Sequence, residues 1–333
     1  MRIRVLATLL ALWSAPTGVA AAEAALGPDR TGTPRNLAVS GREGGGRIVL
    51  WASRDWTLRQ PGIVRAVITL HGRLRDASRY NRIALDGLAK AGSAGRGTLL
   101  LTPRFAGPNE ADPGVLRWTG TGWTDGAPAA APAPLSSFDV LDAILSRLSD
   151  RALFPSLRLI VLVGHSAGAQ LVQRYMVLMR RPPPPGIALR AVIANPSSYA
   201  YFTPGRPLPV AACAGYDRWK YGLRDLPPYA AGTDPADLER RYVQRDVTLL
   251  LGTRDTDPTL PALDKSCAAE AQGATHLARG ENFFRILQAR HPRLNQSLRE
   301  VPDVGHEARA MLTSGYALAA IYGLPPFPEG ASP

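Results

Sequence analysis

The chain has 333 residues, of which 45% are hydrophobic and 20% charged, and its formal net charge is +12. That apolar share excludes an intrinsically disordered protein, and the length suits a large packed core in one domain or two. Arginine supplies almost all the positive charge and is scattered singly, with no dense basic run or recognition motif, so it reads as solvated surface rather than a nucleic-acid interface.

At the start, Arg2 and Arg4 precede the apolar run Val5 to Trp13, and Ala20, Ala21 and Ala22 follow. This predicts a secretory signal peptide over residues 1–22 and a mature body over 23–333, in a periplasm or outside the cell. The run is shorter than the roughly 20 apolar residues of a membrane span, so no stable membrane insertion is expected after cleavage; an uncleaved anchor is the alternative. Export permits disulfides. Cys213 and Cys267 are the only cysteines and are predicted to pair, with two buried free thiols as the alternative.

A Gly/Pro-rich entry from Gly27 to Gly46 leads into predicted strands at Arg47 to Trp51 and Val64 to Leu70, the second ending at His71-Gly72. A helical pattern covers Tyr80 to Lys90, and a buried strand at Gly97 to Thr102 is stopped by Pro103. Arg104 to Pro134, rich in Gly, Pro and Ala and carrying Trp118 and Trp123, is expected to be a long surface loop. Ser136 or Ser137 offers an N-cap for an amphipathic helix from Phe138 to Leu148, and Leu157 to Val163 is the strongest strand signal.

Ala167 to Met179 then reads as a helix, Pro182 to Pro185 as a stiff connector and Leu189 to Ala194 as a strand. Residues 195–245, dense in Pro, Gly and aromatics, break this rhythm as an excursion from the sheet. The alternation resumes with a strand at Val247 to Leu251, helical residues from Leu263 to Gln288, a strand near Leu298 to Val301 and a last helix from about Glu307 to Ile321. Repeated alternation of this kind implies an α/β protein with a mostly parallel sheet, helices on both faces and ligands at the carboxyl ends of the strands.

Chemistry concentrates at those ends. Gly164-His165-Ser166-Ala167-Gly168 lies directly between the strand Leu159 to Val163 and a helix, the setting in which a Gly-x-Ser-x-Gly motif holds a nucleophilic serine on a sharp turn. A serine hydroxyl needs a base, and the base an acid to orient it. His276 falls within a helical pattern and His291 precedes a proline, whereas His306 follows a strand and a short loop, so His306 is the expected base. Asp255 and Asp257 both follow the strand that ends at Gly252; Asp255 is preferred as the acid and Asp257 stays open. An oxyanion hole needs two backbone amides, which Ala167 and Arg73 (or Gly72) would supply.

Together these residues resemble the α/β-hydrolase superfamily over nearly all of the mature chain. The nucleophile elbow matches Gly164 to Gly168, the early His-Gly motif His71-Gly72, the acid Asp255 and the base His306. The resemblance implies an α/β-hydrolase fold with a sheet of about eight strands and no cofactor or metal. Gly72 is followed by Arg73-Leu74, which departs from esterases that use a triple-glycine oxyanion loop. Residues 215–223 and Ser266-Cys267 look similar to secreted bacterial and fungal members of undefined substrate.

The expected function is therefore an exported serine hydrolase that cleaves a small-molecule or polymeric ester. A peptidase or amidase with the same residues, and a non-catalytic binding protein on the same fold, are the alternatives. Residues 195–245 are expected to form a cap pinned by Cys213 and Cys267. Its Tyr199 and Trp219, with His71, Gly72 and His165 near the serine, are the candidate substrate-binding residues, although the cap aromatics would equally serve as its own small core and His71 is preferred as a residue that holds its loop over a catalytic one.

Overall fold

The structure is a computed structural model that describes residues 33–324; the predicted signal peptide lies outside the described residues. Eight strands, β1 (Thr33–Gly41), β2 (Gly44–Ala52), β3 (Arg65–Leu70), β4 (Thr98–Arg104), β5 (Leu159–His165), β6 (Ala188–Ala194), β7 (Asp246–Gly252) and β8 (Ser297–Val301), form one sheet in the order β1-β2-β4-β3-β5-β6-β7-β8. The strands β4, β3, β5, β6, β7 and β8 run parallel, and the β1–β2 hairpin pairs antiparallel with β4 at one edge.

The helices are α1 (Ala77–Ala91), α2 (Ser137–Leu148), α3 (Ala167–Leu178), α4 (Pro235–Tyr242), α5 (Cys267–Glu270), α6 (His276–Arg290), α7 (Ala308–Leu312) and α8 (Gly315–Tyr322). The two-residue period of the strands sorts the core into two layers. On β5, Ile160 and Leu162 face the layer built with α2, α3, α4 and α6, while Val161 and Val163 face the layer built with α1, α7 and α8. Central strands buried on both faces explain the unbroken apolar runs of β3 and β5.

Local chemistry sets the boundaries. Ser136 caps α2 through a capping box with Asp139, which settles the choice between Ser136 and Ser137. Pro103 does not stop β4: it pairs with Leu50 of β2, beyond the last β3 partner of β4 at Leu101, where only one neighbour needs hydrogen bonds. β1 lies wholly within the Gly/Pro-rich entry and β2 begins there, with the alternating Leu37 and Val39 of β1 buried. The helical run from Leu263 splits into α5 and α6 at Gly273, whose φ is +149°. The final helix likewise divides at Thr313, because Ser314 caps α8 afresh.

Residues 104–134 are not a surface loop. Phe105, Trp118 and Trp123 are buried, and Phe105 stacks on Trp123 with centroids 5.4 Å apart. Backbone bonds such as Trp118 N–H to Ala106 (3.0 Å) and Arg117 N–H to Ala131 (2.9 Å) satisfy the polar groups that burial would otherwise strand. This segment and residues 195–245 cover the outer side of α3, where Arg174 donates to Thr124 and Ser198 and Gln173 to Ala200. Every residue of α3 is consequently buried.

Candidate active site

The turn after β5 forces Ser166 to φ +57° and ψ −120°, a conformation L-residues avoid. Its neighbours explain how it is held. A Cβ on Gly164 would lie 2.3 Å from the carbonyl oxygen of Gly168, and one on Gly168 would lie 2.4 Å from that of Leu70, so only glycine lets β5, α3 and the end of β3 approach this closely. The Ser166 amide donates to Ala194 of β6 at 3.0 Å.

Two more strand ends complete the site. Gly252 ends β7 where a Cβ would meet the Val304 carbonyl oxygen at 2.3 Å, and Arg254 N–H donates to the same oxygen at 2.9 Å. These contacts pack the loop after β8 onto the loop after β7. Asn195, fully buried with φ +45°, donates from Nδ2 to Gly305 (3.1 Å) and accepts at Oδ1 from Gly252 N–H (2.9 Å), tying the end of β6 to both loops.

His306 then lies between two partners, with Nε2 2.9 Å from Ser166 Oγ and Nδ1 2.6 Å from Asp255 Oδ2. Ser166 and Asp255 are buried and His306 half-buried. Asp257 is exposed instead, and its carboxylate accepts from the amide and hydroxyl of Thr259, a local turn that does not reach His306.

No family model matches the chain, and no curated protein matches it. Among solved structures, poly(aspartic acid) hydrolase-1 from Sphingomonas sp. KT-1 superposes with a TM-score of 0.62 and 23% identity, over 88% of this chain and 99% of its own. LpqC, a poly(3-hydroxybutyrate) depolymerase from Bordetella parapertussis, does so with a TM-score of 0.63 and 22% identity, over 88% and 91%. The chain has the α/β-hydrolase fold.

In this α/β-hydrolase fold the His71-Gly72-Arg73 turn at the end of β3 lies against the start of α3: a Cβ on Gly168 would come within 2.6 Å of the His71 carbonyl oxygen. His71 itself is buried, with Nδ1 2.9 Å from the Gly72 carbonyl oxygen and Nε2 accepting from Phe105 N–H at 3.0 Å. Burial lowers its pKa to about 4, and both ring nitrogens are spent on backbone. Tyr80 Oη packs against Gly72, 2.8 Å from where a Cβ would stand, and lies 3.1 Å from His165 Nδ1. His165 is buried beside His306, with ring centroids 4.9 Å apart.

Tyr199 and Trp219 are held by other contacts. Tyr199 is buried, stacks on Phe283 at 4.5 Å and exchanges hydrogen bonds with Gln272. Trp219 is half-buried and donates from Nε1 to the Asp125 carbonyl oxygen at 2.6 Å, which ties residues 195–245 to residues 104–134. Phe202 packs on Tyr242 and Tyr229 on Phe138, so these aromatics fill interior space. Cys213 and Cys267 form a disulfide with Cα atoms 5.7 Å apart, joining the same segment to α5.

His276 is the residue that the helical pattern concealed. It is the first residue of α6, is buried, and places Nδ1 3.1 Å from Asp255 Oδ1 while stacking on His306 with centroids 4.0 Å apart. The signal that could have found it is Thr275, a helix N-cap that puts His276 at a helix end instead of mid-helix. Burial alone would raise the Asp255 carboxyl, but the hydrogen bonds from His276 and His306 outweigh it and lower the pKa to about 2. Among the described residues, Asp255, His276 and His306 are also the group whose ligand-type atoms lie within 4.8 Å of one another. A cation there would have to displace the Nδ1 hydrogens that hold both rings to the carboxylate.

Proposed function

We propose that the protein is a serine hydrolase acting on esters through an acyl-enzyme, with Ser166, His306 and Asp255 as its triad. The observation that carries this reading is the unbroken chain of contacts from Ser166 Oγ through both nitrogens of His306 to Asp255 Oδ2, at 2.9 and 2.6 Å. Ser166 Oγ attacks the ester carbonyl as its proton passes to His306 Nε2; the buried carboxylate, acceptor only at neutral pH, fixes the Nδ1–H tautomer and stabilises the imidazolium.

The tetrahedral oxyanion is held by the amides of Ala167 and Arg73. The Gly72 amide is the alternative to Arg73 as the second donor. Collapse expels the alcohol, which takes the proton from His306 Nε2. Water, activated by the same nitrogen, then adds to the acyl-enzyme and releases the acid and free Ser166.

In this reading residues 195–245 are a cap over α3, and its interior aromatics give no support to an aromatic acyl pocket. Arg2, Arg4 and the apolar run after them, together with the disulfide, favour export. Among the described residues no helix is long and apolar enough to cross a membrane. An amidase with the same residues is the second reading, favoured by the name of the poly(aspartic acid) hydrolase among the structural neighbours. Parallel ester and amide panels separate the two.

The test is Ser166→Ala. Labelling by a fluorophosphonate should vanish and ester turnover fall by about 10³-fold or more, with an unchanged circular dichroism spectrum. Undiminished labelling or turnover would overturn the reading. Absence of turnover in the wild-type protein across both panels would favour a non-catalytic binding protein.

A further inference from the structure

The carboxylate of Asp255 serves two imidazoles. Its Oδ2 faces His306 Nδ1 at 2.6 Å and its Oδ1 faces His276 Nδ1 at 3.1 Å, so neither oxygen is left to other groups of comparable strength. An ionised carboxylate only accepts, which requires a hydrogen on Nδ1 of both rings. Nε2 of His276 is buried with no hydrogen-bond partner among the described residues. A doubly protonated His276 would therefore bury an N–H without an acceptor and set a cation 4.0 Å from the ring that must itself take up a proton. The neutral Nδ1–H form avoids both costs, and burial of the ring shifts its pKa downward in the same sense.

The placement is reinforced from the backbone. Leu277 N–H donates to the Asp255 carbonyl oxygen at 3.2 Å, so the first turn of α6 grips the acid by main chain and side chain together. Beneath it, Arg279 anchors the turn through Nε to Gly273 (2.8 Å) and Nη1 to Ser197 (2.6 Å). The imidazole planes of His276 and His306 are 23° apart, so one ring forms a wall for the other.

We propose that His276 is a positioning residue of the hydrolytic site: its Nδ1–H holds one oxygen of Asp255 so that the other stays aimed at His306, and its ring fixes the plane in which His306 turns to Ser166. The proposal rests on the hydrolase reading above. It predicts that the donor and the stacked ring contribute separately.

His276→Phe keeps a stacked ring without the donor, and His276→Asn keeps a donor near the Nδ1 position without the ring. With active sites counted by fluorophosphonate titration, His276→Phe should lose about tenfold or more in kcat with KM within about twofold of wild type, and His276→Asn should recover part of that loss. A kcat for His276→Phe within about twofold of wild type overturns the proposal, as does an Asn variant no faster than Phe.

A measurement on the wild-type protein covers the case in which a variant does not fold. Nitrogen-15 NMR of labelled histidines at neutral pH should show His276 protonated at Nδ1 and bare at Nε2; the opposite tautomer or a doubly protonated ring overturns the proposal. Failure of the hydrolase reading is recognised separately, by turnover that survives Ser166→Ala, and leaves the tautomer result untouched.

Discussion

Ser166 holds a positive φ because three backbone segments meet around it with no room for a side chain at positions 164 or 168. The two aspartates after β7 show how finely position matters at this scale. Asp255 is buried and shared by two imidazoles, whereas Asp257, two residues on, is exposed and folded back on Thr259. In the proposed mechanism Asp255→Asn should lower kcat by about 10³ to 10⁴-fold, because an amide that presents N–H to His306 disfavours the required tautomer. Asp257→Asn should leave kcat within about twofold of wild type. A steady-state comparison of the two variants on one chromogenic ester checks the assignment, and equal losses would refute it. Both aspartates were visible in the sequence as turn residues at a strand end. Their difference in burial was not, because it depends on α6 and the loop after β8 closing over one of them.

At the scale of elements, capping explains why helices begin where they do. Thr275 restarts the chain as α6 after Gly273, and this restart turns His276 from a mid-helix residue into the first residue of a helix aimed at Asp255. The disulfide acts on the same region: it joins residues 195–245 to α5, just ahead of that restart, across a sequence separation of 54. By the entropy of the closed loop, replacing both cysteines with serine should cost up to about 4 kcal/mol of stability. Urea titrations of the native protein and the double variant measure this, and coincident midpoints would show that the bridge constrains little in the unfolded chain. Strand-helix alternation made most of these elements legible, since a 2-residue or 3.6-residue period is local. Residues 104–134 escaped because Trp118 and Trp123 lack any period there, and their burial comes from contact with Phe105 and His71 rather than from a repeating face.

For the molecule as a whole, buried neutral histidines should govern acid stability. His71 has its pKa lowered by burial from 6.5 to about 4, so across that window the unfolded chain binds a proton that the folded chain refuses. Stability must therefore fall as pH drops from 6.5 toward 4, by about 3 kcal/mol from this residue alone. Asp255 has the opposite chemistry and a lower window: its pKa is depressed to about 2, so its contribution is complete above 3.8 and is lost only as pH falls below that. Urea midpoints at several pH values should decline in two stages, and His71→Gln should lessen the upper one, to which buried His165 and His276 also contribute. An unchanged upper stage in that variant would contradict the assignment to His71.

The sequence by itself determined the alternating strands and helices, the glycine-flanked Ser166 between β5 and α3, and the short list of acids and bases at strand ends, because each follows from periodicity or steric need within a few residues. Tertiary structure alone decided the rest. It set His306 against Ser166 across 140 positions, gave Asp255 a second imidazole from 21 positions away, and turned Tyr199, Tyr201 and Tyr229 inward. Such contacts depend on where whole elements pack, and local pattern carries no record of that.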